Sequence, residues 1–276
     1  MSAAATIRAL AIIPVRVGSQ RLPGKALLKE SGQELFLHTC DQAKKAGNID
    51  LVCVATDDDD VEAAAKRSGY EVVRTSEACR TGSERCAEAA QQIECRAVLD
   101  IQGDWPEVAP SDLESLVAQL LSGESQCNTL CAELTDAATI ANPNVVKVVR
   151  GGNGKALYFS RQAIPHGAGP ASHGSAAQTS CATKPSATKP SATTSSATMG
   201  TFPILRHIGV YGFARETLLR IPGLPSSGLA ETESLEQLRF LENDIQMHVL
   251  DAQGNPWGIE TREDYDSYLQ RLTANA

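Results

Sequence analysis

Three short apolar runs, 9–13, 51–55 and 97–101, each pass into a polar turn and then into a segment with helical spacing. Runs of this length, continuous but for Asp100, suit strands buried on both faces, and such strands occur in parallel sheets covered by helices. A chain of 276 residues can bury one large α/β domain of that kind, with room for a smaller appendage. Helix punctuation falls between the runs. Residues 34–46 end in Lys44 and Lys45 before Gly47, and the polar entry Thr81-Gly82-Ser83 opens a helix that reaches Gln92. Four consecutive aspartates at 57–60 precede a helix at 61–68. Neighbouring carboxylates point in different directions, so the cluster reads as a helix cap and not as a metal site. Farther on, a helix is expected at 113–121, a strand at 128–134, and a hairpin with arms 145–149 and 156–161 around Gly151-Gly152-Asn153-Gly154. A strand at 205–213, one helix at 231–242, a strand at 246–250 and a terminal helix complete the order.

The first run delivers the chain into Pro14-Val15-Arg16-Val17-Gly18-Ser19-Gln20-Arg21-Leu22-Pro23-Gly24-Lys25. Its two glycines let the backbone approach a ligand or take up positive φ, and successive N–H groups in such a turn form an anion-binding concavity. Arg16, Arg21 and Lys25 add fixed positive charge in a chain whose formal net charge is -8. Phosphate is the anion that suits this combination best. The loop is neither of the common phosphate motifs. Ala26 follows Lys25 where the Walker pattern requires Ser or Thr, and no Gly-x-Gly-x-x-Gly is present. After the third run, Gln102-Gly103-Asp104 puts a lone carboxylate where open α/β sheets bind ligands, a hard oxygen donor suited to Mg²⁺. Taken by itself, Asp104 reads rather as the cap of a turn before Pro106.

The acidic balance argues against nucleic-acid or acidic-membrane binding, since both need a basic face. No apolar run approaches the roughly 20 residues of a spanning helix. The first ten residues carry one Arg and too short an apolar stretch for a secretory signal, so the expected address is the cytoplasm. Eight cysteines are scattered without a Cys-x-x-Cys pair. Cys127 and Cys131 have no His or third Cys beside them, so buried free thiols are expected. Residues 167–200 are rich in Ala, Ser, Thr, Gly and Pro and repeat Ala-Thr-Lys-Pro-Ser from Ala182 and from Ala187. Such a composition is expected of an unstructured surface insertion.

Several strings, in one order from Ile12 to about Leu269, resemble the 3-deoxy-manno-octulosonate (Kdo) cytidylyltransferase family. They are Pro14-x-Arg16 with Arg21-Leu22-Pro23-Gly24-Lys25, Thr81-Gly82-Ser83-Glu84-Arg85, Gln102-Gly103-Asp104-x-Pro106, and Asn142-Pro143-Asn144-Val145-Val146-Lys147. Downstream stand Ala156-Leu157-Tyr158-Phe159-Ser160-Arg161, Arg206-His207-Ile208-Gly209-Val210-Tyr211-Gly212 and Leu235-Glu236-Gln237-Leu238-Arg239. Three positions depart from the family. Trp105 stands where it usually carries Glu, Ala230 replaces a carboxylate, and Glu260 occupies the place of its second metal Asp. The extra methylene of Glu displaces its oxygens, and octahedral Mg²⁺ tolerates misplacement poorly.

The resemblance implies a three-layer α/β fold, a mostly parallel sheet with helices on both faces like that of nucleotide-diphospho-sugar transferases, plus a small β-rich lobe. One domain spans 1–276, with 128–215 contributing a smaller lobe for sugar binding and dimerisation. It implies transfer of CMP from CTP to Kdo, giving CMP-Kdo and pyrophosphate, with Mg²⁺ as cofactor and a homodimer as the assembly. Arg16, Gly18, Ser19, Arg21 and Lys25 fall to the triphosphate, and Gly82, Ser83, Arg85 and Gln102 to the nucleotide's other end. Asn144, Arg161, His207, Glu236 and Gln237 fall to the sugar acid, with Arg161 on its carboxylate. Asp104 and Glu260 are the implied metal ligands; Arg16, Lys25 and Asp104 carry the catalytic roles. Two alternatives stand beside this reading. One is a cytidylyltransferase for another 2-keto sugar acid, of the 8-amino-Kdo or sialic acid type; Ala26 and Asp104 count against the sialic acid branch. The other is a CTP-binding homologue with weakened catalysis, suggested by Trp105, Ala230 and Glu260 together.

Overall fold

The computed structural model describes residues 7–19, 21–166 and 202–274. The expected insertion at 167–200 lies outside them, as do Cys181, Gln20 and the first six residues. The strands are Ala9–Pro14 (β1), Leu51–Thr56 (β2), Glu71–Arg74 (β3), Ala97–Ile101 (β4), Cys127–Leu134 (β5), Lys147–Arg150 (β6), Ala156–Ser160 (β7), Ile204–Ala214 (β8) and Met247–Asp251 (β9). The helices are Leu35–Lys45 (α1), Asp59–Arg67 (α2), Gly82–Gln91 (α3), Pro110–Ser122 (α4), Ala137–Ala141 (α5), Arg215–Arg220 (α6), Gly228–Glu233 (α7), Glu236–Glu242 (α8) and Arg262–Ala274 (α9).

The nine strands form one sheet whose main path runs β3-β2-β1-β4-β8-β5-β9. Six of those seven strands point the same way. Only β8 opposes them, pairing antiparallel with β4 and β5, while β5 and β9 are parallel. The sheet is thus mostly parallel with helices on both faces, as the apolar runs require. The hairpin β6–β7 branches from the path by pairing β6 with β8, so it projects beside the main sheet.

Alternation along β1 and β4 sorts their residues between two cores. Ala9, Ala11 and Ile13 of β1, with Ala97, Leu99 and Ile101 of β4, face α1, α2 and α4. Leu10, Ile12 and Val98 face α3, α6 and α8. The same alternation places Asp100 on the α3 face, where it is fully buried. A smaller cluster joins Tyr265 and Tyr268 of α9 to Leu35 and Ile259, which seats the last helix over the loop leading into α1.

The expected single helix at 231–242 is instead two. α7 stops at Glu233, Ser234 takes a left-handed conformation at φ 53, and α8 begins at Glu236. The break leaves the carbonyls of Glu233 and Ser234 free to accept from the Arg161 guanidinium, at 2.8 and 3.2 Å. A tertiary partner outweighs helical continuation here. The seven described cysteines are all free; five are buried, and Cys79 and Cys95 are half-buried.

The aspartate cluster behaves as expected of a cap. The Asp58 carboxylate accepts from Asp60 N and Val61 N, both at 3.0 Å, and Asp59 pairs with Arg74. Asp58→Ala is therefore expected to lower unfolding free energy by about 1 kcal/mol in urea titration, and Asp60→Ala to change it by less than about 0.5 kcal/mol.

Candidate active site

β1 and β4 are neighbours at the point where the strand order reverses, and the loops that follow them part to leave a crevice at their carboxyl ends. The crevice has two joined chambers of about 810 and 480 Å³ that share Arg21, Gln102, Asp104 and Asn144. Arg16, Gly18, Ser19, Lys25 and Arg161 line the larger one. Gly82, Ser83, His207, Glu236, Gln237 and Glu260 line the smaller. Residues drawn from across the chain thus meet in one cleft.

The opening loop is held by its cations. Gly24, at φ 68, turns the chain into the short 3₁₀ turn Lys25–Leu27 and so aims Lys25 inward. Lys25 Nζ donates to Asp104 Oδ2 at 2.5 Å and to the carbonyl of Ile259 at 2.7 Å. The N–H of Ile259 donates in turn to the carbonyl of Asp104 at 2.9 Å, and Arg21 pairs with Glu260. Two of the three cations assigned to triphosphate thus neutralise the two carboxylates assigned to metal. On the other side of the Gln102-Gly103-Asp104 loop, Thr39 of α1 donates to the carbonyl of Gly103 at 3.2 Å.

A polar chain lies behind the smaller chamber. Thr81 caps α3 by accepting from Glu84 N at 3.2 Å, and its hydroxyl donates to Glu236 Oε1 at 2.6 Å. Ser83 Oγ lies 2.9 Å from Asp100 Oδ2 and 3.2 Å from Glu236 Oε2. Gln102 Nε2 donates to Asp100 Oδ1 at 2.6 Å, with its side chain packed across Gly82 where a Cβ would come within 2.4 Å. One serine proton cannot serve both carboxylates at once. Burial pushes Asp100 up to about 6 against the hydrogen bonds from Ser83, Cys86 and Gln102. Burial, with the charge of Asp100 adding to it, pushes Glu236 up to about 7 against the bonds from Thr81 and Ser83. A protonated Glu236 donating to Ser83, which donates to Asp100, satisfies every group.

Three residues expected at the site are differently engaged. Arg85 lines neither chamber. It is buried and pairs with Asp57 at 3.2 Å while donating to Thr75, so its guanidinium braces the loop after β2. Arg161 lines the larger chamber, yet its Nε, Nη1 and Nη2 donate to the carbonyls of Glu233, Pro143 and Ser234. His207 reaches the smaller chamber with Nε2 tied to Thr129 Oγ1 at 2.9 Å. Burial pushes its ring down to about 3, with the Arg206 charge adding, so it stays neutral. Two contributors escaped the sequence reading. Asp100 was signalled only as a carboxylate inside an apolar run, and Trp257, stacked on the Arg206 guanidinium at 4.0 Å, carried no motif.

A switch-point cleft of this kind, with a cationic loop facing a carboxylate loop, belongs to a nucleotidyltransferase. The model of the cytidylyltransferase family matches residues 10–247. The 3-deoxy-manno-octulosonate cytidylyltransferase of Acidobacterium capsulatum is 34% identical over 267 residues, 97% of each chain. That of Chlorobium phaeobacteroides is 36% identical over 266 residues, 95% of each. A solved CMP:2-keto-3-deoxy-manno-octonic acid synthetase, in complex with CTP, superposes with a TM-score of 0.81 at 29% identity, covering 98% of this chain and 100% of that one. The chain belongs to the 3-deoxy-manno-octulosonate cytidylyltransferase (CMP-Kdo synthetase) family.

The raised carboxyls have a consequence for stability. Glu236 binds a proton in the folded protein up to about pH 7, whereas the unfolded chain releases it near the ordinary carboxylate value, so this group's contribution falls as pH rises between the two. In calorimetric melting of the ligand-free protein, Glu236→Gln is expected to gain stability relative to wild type as pH rises from about 4.5 to about 7.5. A difference independent of pH would show that Glu236 does not hold the proton.

Proposed function

We propose that the protein transfers CMP from CTP to Kdo, forming CMP-Kdo and pyrophosphate, with Mg²⁺ as cofactor. The observation that carries this reading is the interlock of Lys25 and Arg21 with Asp104 and Glu260 inside the cleft. Such pairs are preformed sites for a nucleoside triphosphate and its counter-ion, because each cation can exchange a carboxylate for a phosphate. The names of the full-length relatives and the CTP complex of the structural neighbour support the choice of CTP and Kdo.

The donor set fits the cofactor. Mg²⁺ takes one or two protein carboxylates together with phosphate oxygens and water, and the backbone bond from Ile259 to Asp104 holds the two acidic segments side by side. Asp104 and Glu260 would hold it, and when bound it supplies neutralising charge for the phosphates and the attacking oxygen. The protein's own share is positioning. Arg16, Arg21 and Lys25 take the triphosphate, while Gly82 and Ser83, in the first turn of α3, offer N–H groups to the nucleotide. The anomeric oxygen of the sugar acid attacks the α-phosphorus, the bond to the β-phosphate oxygen breaks, pyrophosphate departs with that electron pair, and the hydroxyl proton passes to solvent. A cytoplasmic homodimer belongs to the same proposal, with the 128–215 region carrying sugar and subunit contacts; the exposed Leu157 on β7 and Phe202 before β8 support such a surface.

Another 2-keto sugar acid is the second reading, and Trp105 favours it. Its ring lines the smaller chamber and lies where a Cβ on Gly209 or Gly258 would come within 3.7 or 3.3 Å, so it narrows the space beside the metal carboxylates.

Pyrophosphate release from CTP and Kdo is expected to require Mg²⁺ and to fall by at least about 10²-fold in Asp104→Asn. Turnover with a different 2-keto sugar acid alone would move the substrate, and CTP binding without any turnover would leave a binding protein. The charge interlock makes a second, opposite expectation for the same variant. In EDTA, where CTP must displace Lys25 from its carboxylate, Asp104→Asn is expected to bind CTP several-fold more tightly than wild type by calorimetry. Weaker metal-free binding would refute the exchange.

A further inference from the structure

Lys147 opens β6 and is 0% exposed. Among the described residues its ammonium makes no ion pair. Its three protons instead go to three main-chain carbonyls, those of Arg161 at 2.5 Å, Val145 at 2.7 Å and Asn142 at 3.0 Å. That saturates an ammonium, which has three donors and no acceptor. Burying a charge with no carboxylate in direct contact is costly, and an apolar side chain would fill the same space at the start of a strand. What the ammonium alone supplies is a tie among three fixed oxygens.

Those oxygens belong to the wall of the cleft. Asn142 and Val145 bracket the turn that presents Asn144 to both chambers; Asn142 Oδ1 accepts from Asn144 N at 2.9 Å, and the carbonyl of Asn142 from Val145 N at 3.1 Å. Arg161 follows β7, whose Ser160 is the register partner of Lys147. The Arg161 guanidinium then bonds Pro143 in the same turn, and Glu233 and Ser234 at the break before α8. The 142–145 turn, the end of the hairpin and the start of α8 are thereby joined into one unit around a residue that lines neither chamber.

We infer that Lys147 is a positioning residue for the sugar-acid side of the cleft: its buried ammonium sets the Asn144 turn against the end of the hairpin at Arg161, so that Asn144 meets the substrate in register. The loops after β1 and β4 and the start of α3, which carry the residues assigned to the nucleotide, accept no bond from this ammonium. The inference rests on the cytidylyltransferase reading for its kinetic consequence, though not for the tie itself.

The test uses the full chain with Lys147→Met, and Lys147→Gln as a second variant that keeps part of the donor set. Each is first checked for cooperative melting. The expected result for Lys147→Met is a rise in KM for the sugar acid of about tenfold or more, with kcat changed less. CTP affinity, titrated without sugar, should stay within about twofold. Lys147→Gln should fall between Met and wild type, and it alone decides if Lys147→Met does not fold. Equal losses in CTP affinity and sugar-acid KM, or an unchanged KM in a folded variant, would overturn the inference. Hydrogen exchange gives a readout independent of activity. Protection should drop at 142–146 and 161–162 and hold at 10–15 and 97–104; no local drop would refute the tie even if wild type turned over no sugar acid at all.

Discussion

The ammonium of Lys25 holds together three segments that lie far apart in the chain. It bonds the carboxylate of Asp104 and the carbonyl of Ile259, while the N–H of Ile259 bonds back to the carbonyl of Asp104. The loop after β1, the loop after β4 and the strap before α9 are thereby closed on one another at the mouth of the sheet. Because both backbone groups of Ile259 are spent in this contact, Glu260 has little freedom, and its pairing with Arg21 follows from the placement of its neighbour. Tyr265 and Tyr268 then seal α9 over Leu35. At this mouth Lys25 and Arg21 stand where the carboxylates of Asp104 and Glu260 would otherwise repel one another.

Behind this mouth, a polar seam runs through a layer that is otherwise apolar. Alternation along β4 obliges Asp100 to face α3, and Ser83 in the first turn of α3 meets it there. Glu236 closes the seam from the opposite side, on a helix whose start is set by the break at Ser234. Ser83 of α3 and Glu236 of α8 are therefore joined to Asp100 of β4 in one hydrogen-bonded chain. Lys147 and Arg161 perform a comparable task for the outer wall, using main-chain carbonyls in place of carboxylates. Both devices bury polar groups that are fully paired, which keeps their cost low and their geometry narrow.

The family assignment puts the departures at Trp105, Ala230 and Glu260 in a structural setting. Trp105 sits against Gly209 and Gly258 and so spans the loops that carry Asp104 and Glu260. Ala230 lies in α7 and closes that helix by accepting from Ser234 and Leu235 through its carbonyl, a role that needs no carboxylate. Glu260 reaches Arg21 with its longer side chain. Of the three, Trp105 and Glu260 line the smaller chamber and Ala230 lines neither.

How much of this was legible in the chain follows from the range of each cause. The apolar runs at 9–13, 51–55 and 97–101 determined the parallel strands, since full burial leaves no place for polar alternation. Asp58 and Thr81 determined the starts of α2 and α3, because a cap acts within three residues. The glycines and cations of the opening loop, together with Asp104, marked the cleft. The tertiary structure alone decided that 231–242 breaks at Ser234, that Arg85 turns to Asp57, and that Lys147, an ordinary strand lysine in the sequence, is buried under three carbonyls. The first two depend on partners tens of residues away, and the third on carbonyls two, five and fourteen residues away that only the folded hairpin brings around one ammonium. Local patterns determined where most elements form and where the anion loop lies; hydrogen bonds between desolvated groups on different elements decided how the side chains are shared between the two chambers of the cleft.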